Sequence, residues 1–171
     1  MLTFAWTHRV WPLQHSSPAV LAGQVLEQAL SRIGDGEKVA VGIFVVEQAG
    51  QSDNRTGRQV STPVCWPQAL AGLTHLCSEH RAAKSLPPTS FILTDLHPHT
   101  SAWQSLQRTA PALNYIPASI DATRSSRDQL AKFVGEGGRH LRTFFLAFHH
   151  FDEQGAQAVI RDAMENADGI G

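Results

Sequence analysis

Arg142-Thr143-Phe144-Phe145-Leu146-Ala147-Phe148-His149-His150-Phe151-Asp152 is a continuous apolar run that ends abruptly in two histidines and an acid. A run so short, rich in Phe and without polar alternation, reads as a strand covered on both faces, as in the middle of a parallel sheet. In open α/β sheets the ligand crevice lies beyond the carboxyl ends of the strands, which is where His149, His150 and Asp152 fall. The same arrangement occurs earlier, where Ser90-Phe91-Ile92-Leu93-Thr94 runs into Asp95-Leu96-His97-Pro98-His99. Two strands therefore direct polar groups to one edge.

Outward from these runs, strands and helices alternate. Val39 to Val46 is apolar and β-branched enough for a buried strand, and Leu113 to Ile116 reads as a shorter one. Helical spacing is expected from Pro18 to Leu30, with Ser17 as N-cap, and from Trp66 to Ala83, with Ala69, Leu70, Leu73 and Leu76 as a stripe. Ser101–Thr109 reads as a short helix and Arg127–Val134 as a polar one, followed by a glycine-rich turn at 135–138. The fourth strand is expected from Thr143 to Phe148. Glu153–Asn166 is an amphipathic helix with Ala156, Val159, Ile160 and Ala163 on one face, and Asp168–Gly171 turns into another strand. Residues 48–63 have no hydrophobic period and read as loop. Such alternation predicts βαβ units: an α/β fold with a mostly parallel sheet flanked by helices, residues 1–171 forming one domain with 1–37 as a helical lead-in.

The chain has 171 residues, enough for one domain with a real core. Its formal net charge of −1 gives no field that would draw it to nucleic acid or an anionic membrane. No segment approaches the roughly 20 apolar residues that span a bilayer. The first nine residues lack the leading basic region and apolar core of a signal peptide. Two cysteines, Cys65 and Cys77, are too few for a disulfide framework or a four-thiolate zinc site. The expectation is a soluble cytoplasmic protein without nucleic-acid or membrane partners.

Phe148-His149-His150-Phe151-Asp152-Glu153, the Ala-rich helix after it and Asn166-Ala167-Asp168-Gly169 resemble the region after strand 4 of class I S-adenosylmethionine-dependent methyltransferases. The resemblance covers 87–171, and in particular a methyltransferase-like group with a Leu-Thr-Asp-Leu-His-Pro-His signature, present here as residues 93–99. It implies a Rossmann-like fold, S-adenosylmethionine as cofactor and a small-molecule or protein methyl acceptor. Asp95, with Leu96 beside it, corresponds to the family's ribose-binding acid, and Asp121-Ala122 to the pair that holds the adenine. Glu47 and Gly50 stand where the cofactor loop would follow strand 1. His149 and His150 would line the acceptor pocket, where an imidazole has the pKa of a general base.

The chain departs from that family in two places. Glu47-Gln48-Ala49-Gly50 replaces the glycine-rich loop, and Gly171 falls where strand 5 should begin. The expectation is therefore a partial domain lacking its last strands, with an uncovered edge on the Phe144 strand that invites self-association. A binding or interaction domain without catalysis is the second reading. A metal-dependent hydrolase using Asp95, His97, His99, His149, His150 and Asp152 is the third, and it is disfavoured: the Asp95 and His149 strands should flank the Val41 strand, too far apart to share a metal, so no metal site is assigned. The plainer alternatives also stand. Asp95 could serve as a turn or capping acid, Asp121 could close an Asx-turn before Arg124, and adjacent His149 and His150 on an extended strand would point to opposite faces.

Overall fold

The computed structural model describes residues 18–34, 39–44, 72, 74, 75, 77–79, 81–135, 137–144 and 148–171. Five parallel strands form one sheet: β1 (Val39–Phe44), β2 (Thr89–Thr94), β3 (Leu113–Tyr115), β4 (Arg139–Phe144) and β5 (Gly169–Ile170), in the order β3-β2-β1-β4-β5. Helix α1 (Pro18–Gly34) precedes the sheet, α2 (Thr100–Gln107) joins β2 to β3, α3 (Ala131–Val134) precedes β4, and α4 (Glu153–Asn166) joins β4 to β5. Residues 81–83 and the described positions between 72 and 79 are helical too. The strand order and all-parallel pairing are consistent with a Rossmann-like fold.

β1 lies at the centre, in register with β2 from Val39↔Thr89 to Phe44↔Thr94 and with β4 from Val39↔Arg139 to Phe44↔Phe144. Its alternate side chains serve two cores. Val39, Val41 and Ile43 join Leu26 and Leu30 of α1, Cys77, Phe91, Leu93, and Trp103 and Leu106 of α2. On the other face Ala40 joins Ile92, Ile120, Leu130, Val134 and Val159 of α4. The chain steps from β1 to β2 to β3 with its helices on one face, then returns past β1 to β4 and β5 with helices on the other. Right-handed crossovers in opposite directions require this layout.

The fourth strand corrects the sequence expectation. It runs over Arg139–Phe144 rather than Thr143–Phe148, and Phe148–His150 form a 3-10 turn. The strand starts early because Gly135 and Gly137, at φ 74° and 70°, turn the chain in a left-handed conformation that suits glycine. It then buries two polar side chains ahead of the apolar run's phenylalanines: His140 and Arg142 are both fully buried. The expected open edge on this strand is corrected as well. β5 pairs with it through Leu141↔Gly169 and Arg142↔Ile170, and Gly171 O accepts from Phe144 N at 3.0 Å.

His140 faces the centre of β1. A Cβ at Gly42 would lie 2.8 Å from His140 Nε2, so the glycine admits the imidazole against the backbone. Among the described residues neither ring nitrogen has a hydrogen bond of ordinary geometry, the Asn166 backbone making only a weak approach. Burial, and next the nearby Arg142 charge, press the His140 pKa down from 6.5 to about 4, against the opposing pull of the Asn166 backbone and Asp168. The folded ring therefore stays neutral where the unfolded one charges. The resulting stability is fully present above pH 6.5 and is lost as pH falls towards 4. At about 1.4 kcal/mol per tenfold in proton affinity, the full effect is about 3 kcal/mol. Urea unfolding of the wild type and His140→Leu at pH 7.5 and 4.5 checks this: the variant should lose less stability on acidification, and equal losses would contradict a neutral buried ring.

Candidate active site at the carboxyl edge

Asp95 is the first residue beyond β2, held by a strand whose last side chain, Thr94, donates to Ile43 O of β1 at 3.3 Å. On the opposite side of β1, Thr143 of β4 donates to Gly42 O at 3.1 Å. These buried hydroxyls tie the carboxyl ends of the three central strands together. Asp95 is 4% exposed, and its Oδ1 accepts from His97 N at 2.7 Å in a turn of Asx type. Leu96 beside it is 48% exposed.

The loop after β3 folds back onto this strand end. Ile120 N donates to Asp95 O at 2.8 Å, and Ser119 Oγ donates to Leu96 O at 2.5 Å. Ile120, 2% exposed, anchors the loop in the second core. The next residue is Asp121, so a backbone bond brings the two candidate ligand acids to one place. Asp121 Oδ1 accepts from Thr123 N at 2.8 Å and Thr123 Oγ1 at 2.6 Å, while Arg124 Nε approaches Oδ2 at 3.8 Å. The Thr123 hydroxyl above all, against some opposing burial and with help from the Thr123 amide and Arg124, holds the Asp121 carboxyl below its ordinary range. The Asx-turn reading of Asp121 is thus correct for one oxygen. Ala122 packs in the core with Ile116 and Ile120, so its methyl belongs to the interior.

Beyond β4 the expectation of an extended strand carrying His149 and His150 is overturned, and with it the argument that they face opposite ways. Both lie in the 3-10 turn, where His150 is exposed; the side chain of His149, like Glu47, Gly50 and Cys65, lies outside the described residues. Phe148 stacks edge-to-face between Phe144 and Phe151, at centroid distances of 5.8 and 6.2 Å. Asp152 caps α4 by accepting from Gly155 N at 2.8 Å. β1 separates β4, which precedes this turn, from the Asp95 strand, so β2 and β4 stand two strand spacings of about 4.8 Å apart. Among the described residues no group of three or more His, Cys, Asp or Glu side chains is placed to hold a metal.

The residues that pattern reading missed lie beneath the edge. Arg142 pairs with Asp162 of α4, and Ser125 Oγ donates to the same Asp162 Oδ2 at 2.8 Å. Asn166 Nδ2 donates to Asp162 Oδ1 at 3.1 Å. The signal for Arg142 was the alternation His140-Leu141-Arg142, which marks a polar face of a strand; Asp162 and Ser125 gave none. Cys77 is buried and its thiol is pushed up to about 11 by burial, against the pull of Arg81 and with a push from Glu27, which leaves it a poor nucleophile. A cavity of about 390 Å³ opens at the amino ends of β4 and β5, lined by Arg127, Gly137, Arg139 and Asp168 among others. Both arginines pair with Asp168, at 2.7 and 3.4 Å, and with Asp128 also in the lining the two cations face two acids.

Comparison with protein-family models, curated proteins and solved structures finds no match to this chain. No helix among the described residues is long and apolar enough to cross a membrane.

The Thr123 hydroxyl gives a direct check on the site's electrostatics. Thr123→Val keeps the shape and the amide bond but removes the shorter hydrogen bond, so the Asp121 carboxyl should titrate closer to 3.8. Carboxyl-detected NMR titration measures it, and an unmoved Asp121 would assign the shift to another group.

Proposed function

We propose that the carboxyl edge binds a nucleoside-containing cofactor, S-adenosylmethionine, and that the chain is a methyltransferase-like protein acting on a small-molecule or protein acceptor. The observation that carries this reading is the joining of Asp95 and Asp121 across Ile120 N to Asp95 O, beside the point where the strand order reverses. The residues present suit the nucleoside end. Asp95 and Asp121 are both carboxylates beyond the ends of strands, a chemistry that accepts from ribose hydroxyl and adenine amino groups, with Asp95 Oδ1 on His97 N, Asp121 Oδ1 on Thr123 and Asp121 Oδ2 facing Arg124. The exposed Leu96 supplies an apolar surface for a base to rest on. The cofactor would supply the electrophilic methyl group; the protein would supply binding and orientation. His150, exposed on the turn after β4, would be the imidazole that meets an acceptor. A binding domain without catalysis is the second reading, and the observation that favours it is Glu47-Gln48-Ala49-Gly50 in place of a glycine-rich loop.

Isothermal titration with S-adenosylmethionine and its demethylated product tests the proposal. Binding should be measurable, and Asp95→Ala should weaken it by about 1.5–3 kcal/mol, the range for a hydrogen bond to a charged group. Unchanged affinity in that variant would remove the ribose role. Absence of binding by the wild type would remove the cofactor, and binding without methyl transfer would favour the second reading.

A further inference from the structure

We infer that Arg142, Asp162 and Ser125 form a buried clamp that positions the Asp121 loop for its ligand. The inference deepens the proposed cofactor site and rests on Asp121 acting there. Three elements meet in the clamp: Arg142 on β4, Asp162 on α4, and Ser125 four residues after Asp121. All three are buried, at 0%, 8% and 2% exposure. Asp162 Oδ2 accepts from both Arg142 Nη1 and Ser125 Oγ, and Arg142 Nη2 lies 3.5 Å from Ser125 O. Both the side chain and the carbonyl of Ser125 are thus held by one ion pair. Asn166 fixes the other oxygen of Asp162.

A buried ion pair is a weak source of stability, because desolvating two charges offsets most of their attraction; what it supplies is a fixed geometry. Its effect here is local. The loop is pinned on its β3 side by Ile116 N to Leu93 O and Ile120 N to Asp95 O, at 3.0 and 2.8 Å. On its far side Thr123 and Arg124 donate to Asp121 itself, so they shape the turn without tying it to the sheet. Ala122 packs its methyl in the core, and Ser125 is where polar bonds fasten that second half to β4 and α4. The clamp thereby sets where the Asp121 carboxylate stands relative to Asp95, making Arg142, Asp162 and Ser125 positioning residues.

Amide hydrogen exchange of the whole chain, without ligand, tests the clamp independently of the cofactor. Arg142→Met with Asp162→Leu replaces the pair by apolar groups of similar size. The Thr123 and Arg124 amides should then exchange about tenfold faster or more, while the Ile92 and Leu141 amides in the strands keep their protection. Ser125→Ala should accelerate the same loop amides, and Ser125→Thr, which keeps the hydroxyl, should restore them. Unchanged loop amides in Ser125→Ala, or acceleration spread evenly over strands and loop, would overturn the clamp, and the serine variants decide the matter even where the double variant fails to fold. Titration with S-adenosylhomocysteine, at a temperature where both proteins are folded, adds the second arm: Ser125→Ala should weaken binding about two- to tenfold, as expected for one hydrogen bond. Loop acceleration without any wild-type binding would keep the clamp and remove the cofactor, whereas binding unaffected by a loosened loop would remove the positioning role.

Discussion

Parallel pairing of β1 on both sides constrains the rest of the molecule. Because β2 and β4 both match β1 residue for residue over Val39–Phe44, their carboxyl ends finish level with one another. Thr94 and Thr143 then fasten that level edge by donating to β1 carbonyls from either side. A slip of one residue would exchange the two faces of β1, driving Val41 into the layer built for Gly42 and His140. The carboxyl edge is therefore as rigid as the sheet's centre. A turn that starts there, as at Asp95, inherits the rigidity.

The two faces of the sheet are built differently. Beneath α1 and α2 the packing is mostly apolar, with Val41, Ile43, Phe91, Leu93 and Leu141 contributing fully buried side chains, and with Arg81, whose charge acts on Cys77, as the buried exception. Beneath α4 the core holds a neutral imidazole and an arginine-carboxylate pair beside Ala40, Ile92 and Val159. Gly42 makes the second arrangement possible by leaving room at the centre of β1. The Arg142 charge also disfavours protonation of His140, so one buried cation keeps its neighbour neutral. The Asp121 loop at the edge and the polar groups within this face are connected through Ser125.

Where apolar pattern and structure agree, burial alone decides the element. β1, β2 and α4 were legible because their apolar residues need no distant partner to be buried: β2 runs Thr89–Thr94, and α4 spans Glu153–Asn166, the range its spacing predicts. β4 was misplaced by four residues at its start because apolar content was taken as the marker of burial. Arg142 is buried by a partner 20 residues away, and Ser125 by one 37 away. No window of sequence contains such a pair. Asp162 looks like one more solvated helix acid until the fold sets it over β4. Asp95 and Asp121 were found as acids after strands, yet their joining depends on Ile120, an unremarked apolar residue whose amide makes the link.

The charges at the edge bear on the proposed ligand. Asp95 and Asp121 place two carboxylates within one turn of chain contact, and Asp152 adds a third acid after β4. The positive end of α4, a position that can hold phosphate in folds of this kind, is taken by the Asp152 carboxylate through Gly155 N. Arg124 is largely exposed and already paired with Asp121. A pyrophosphate would meet repulsion from these acids. A nucleoside carrying no phosphate meets only acceptors suited to its hydroxyl and amino donors, and a cationic centre on such a molecule would be attracted by the same acids. The electrostatics of the described edge thus favour a nucleoside of neutral or positive charge over a dinucleotide, in keeping with the absence of a Gly-x-Gly-x-x-Gly sequence after β1.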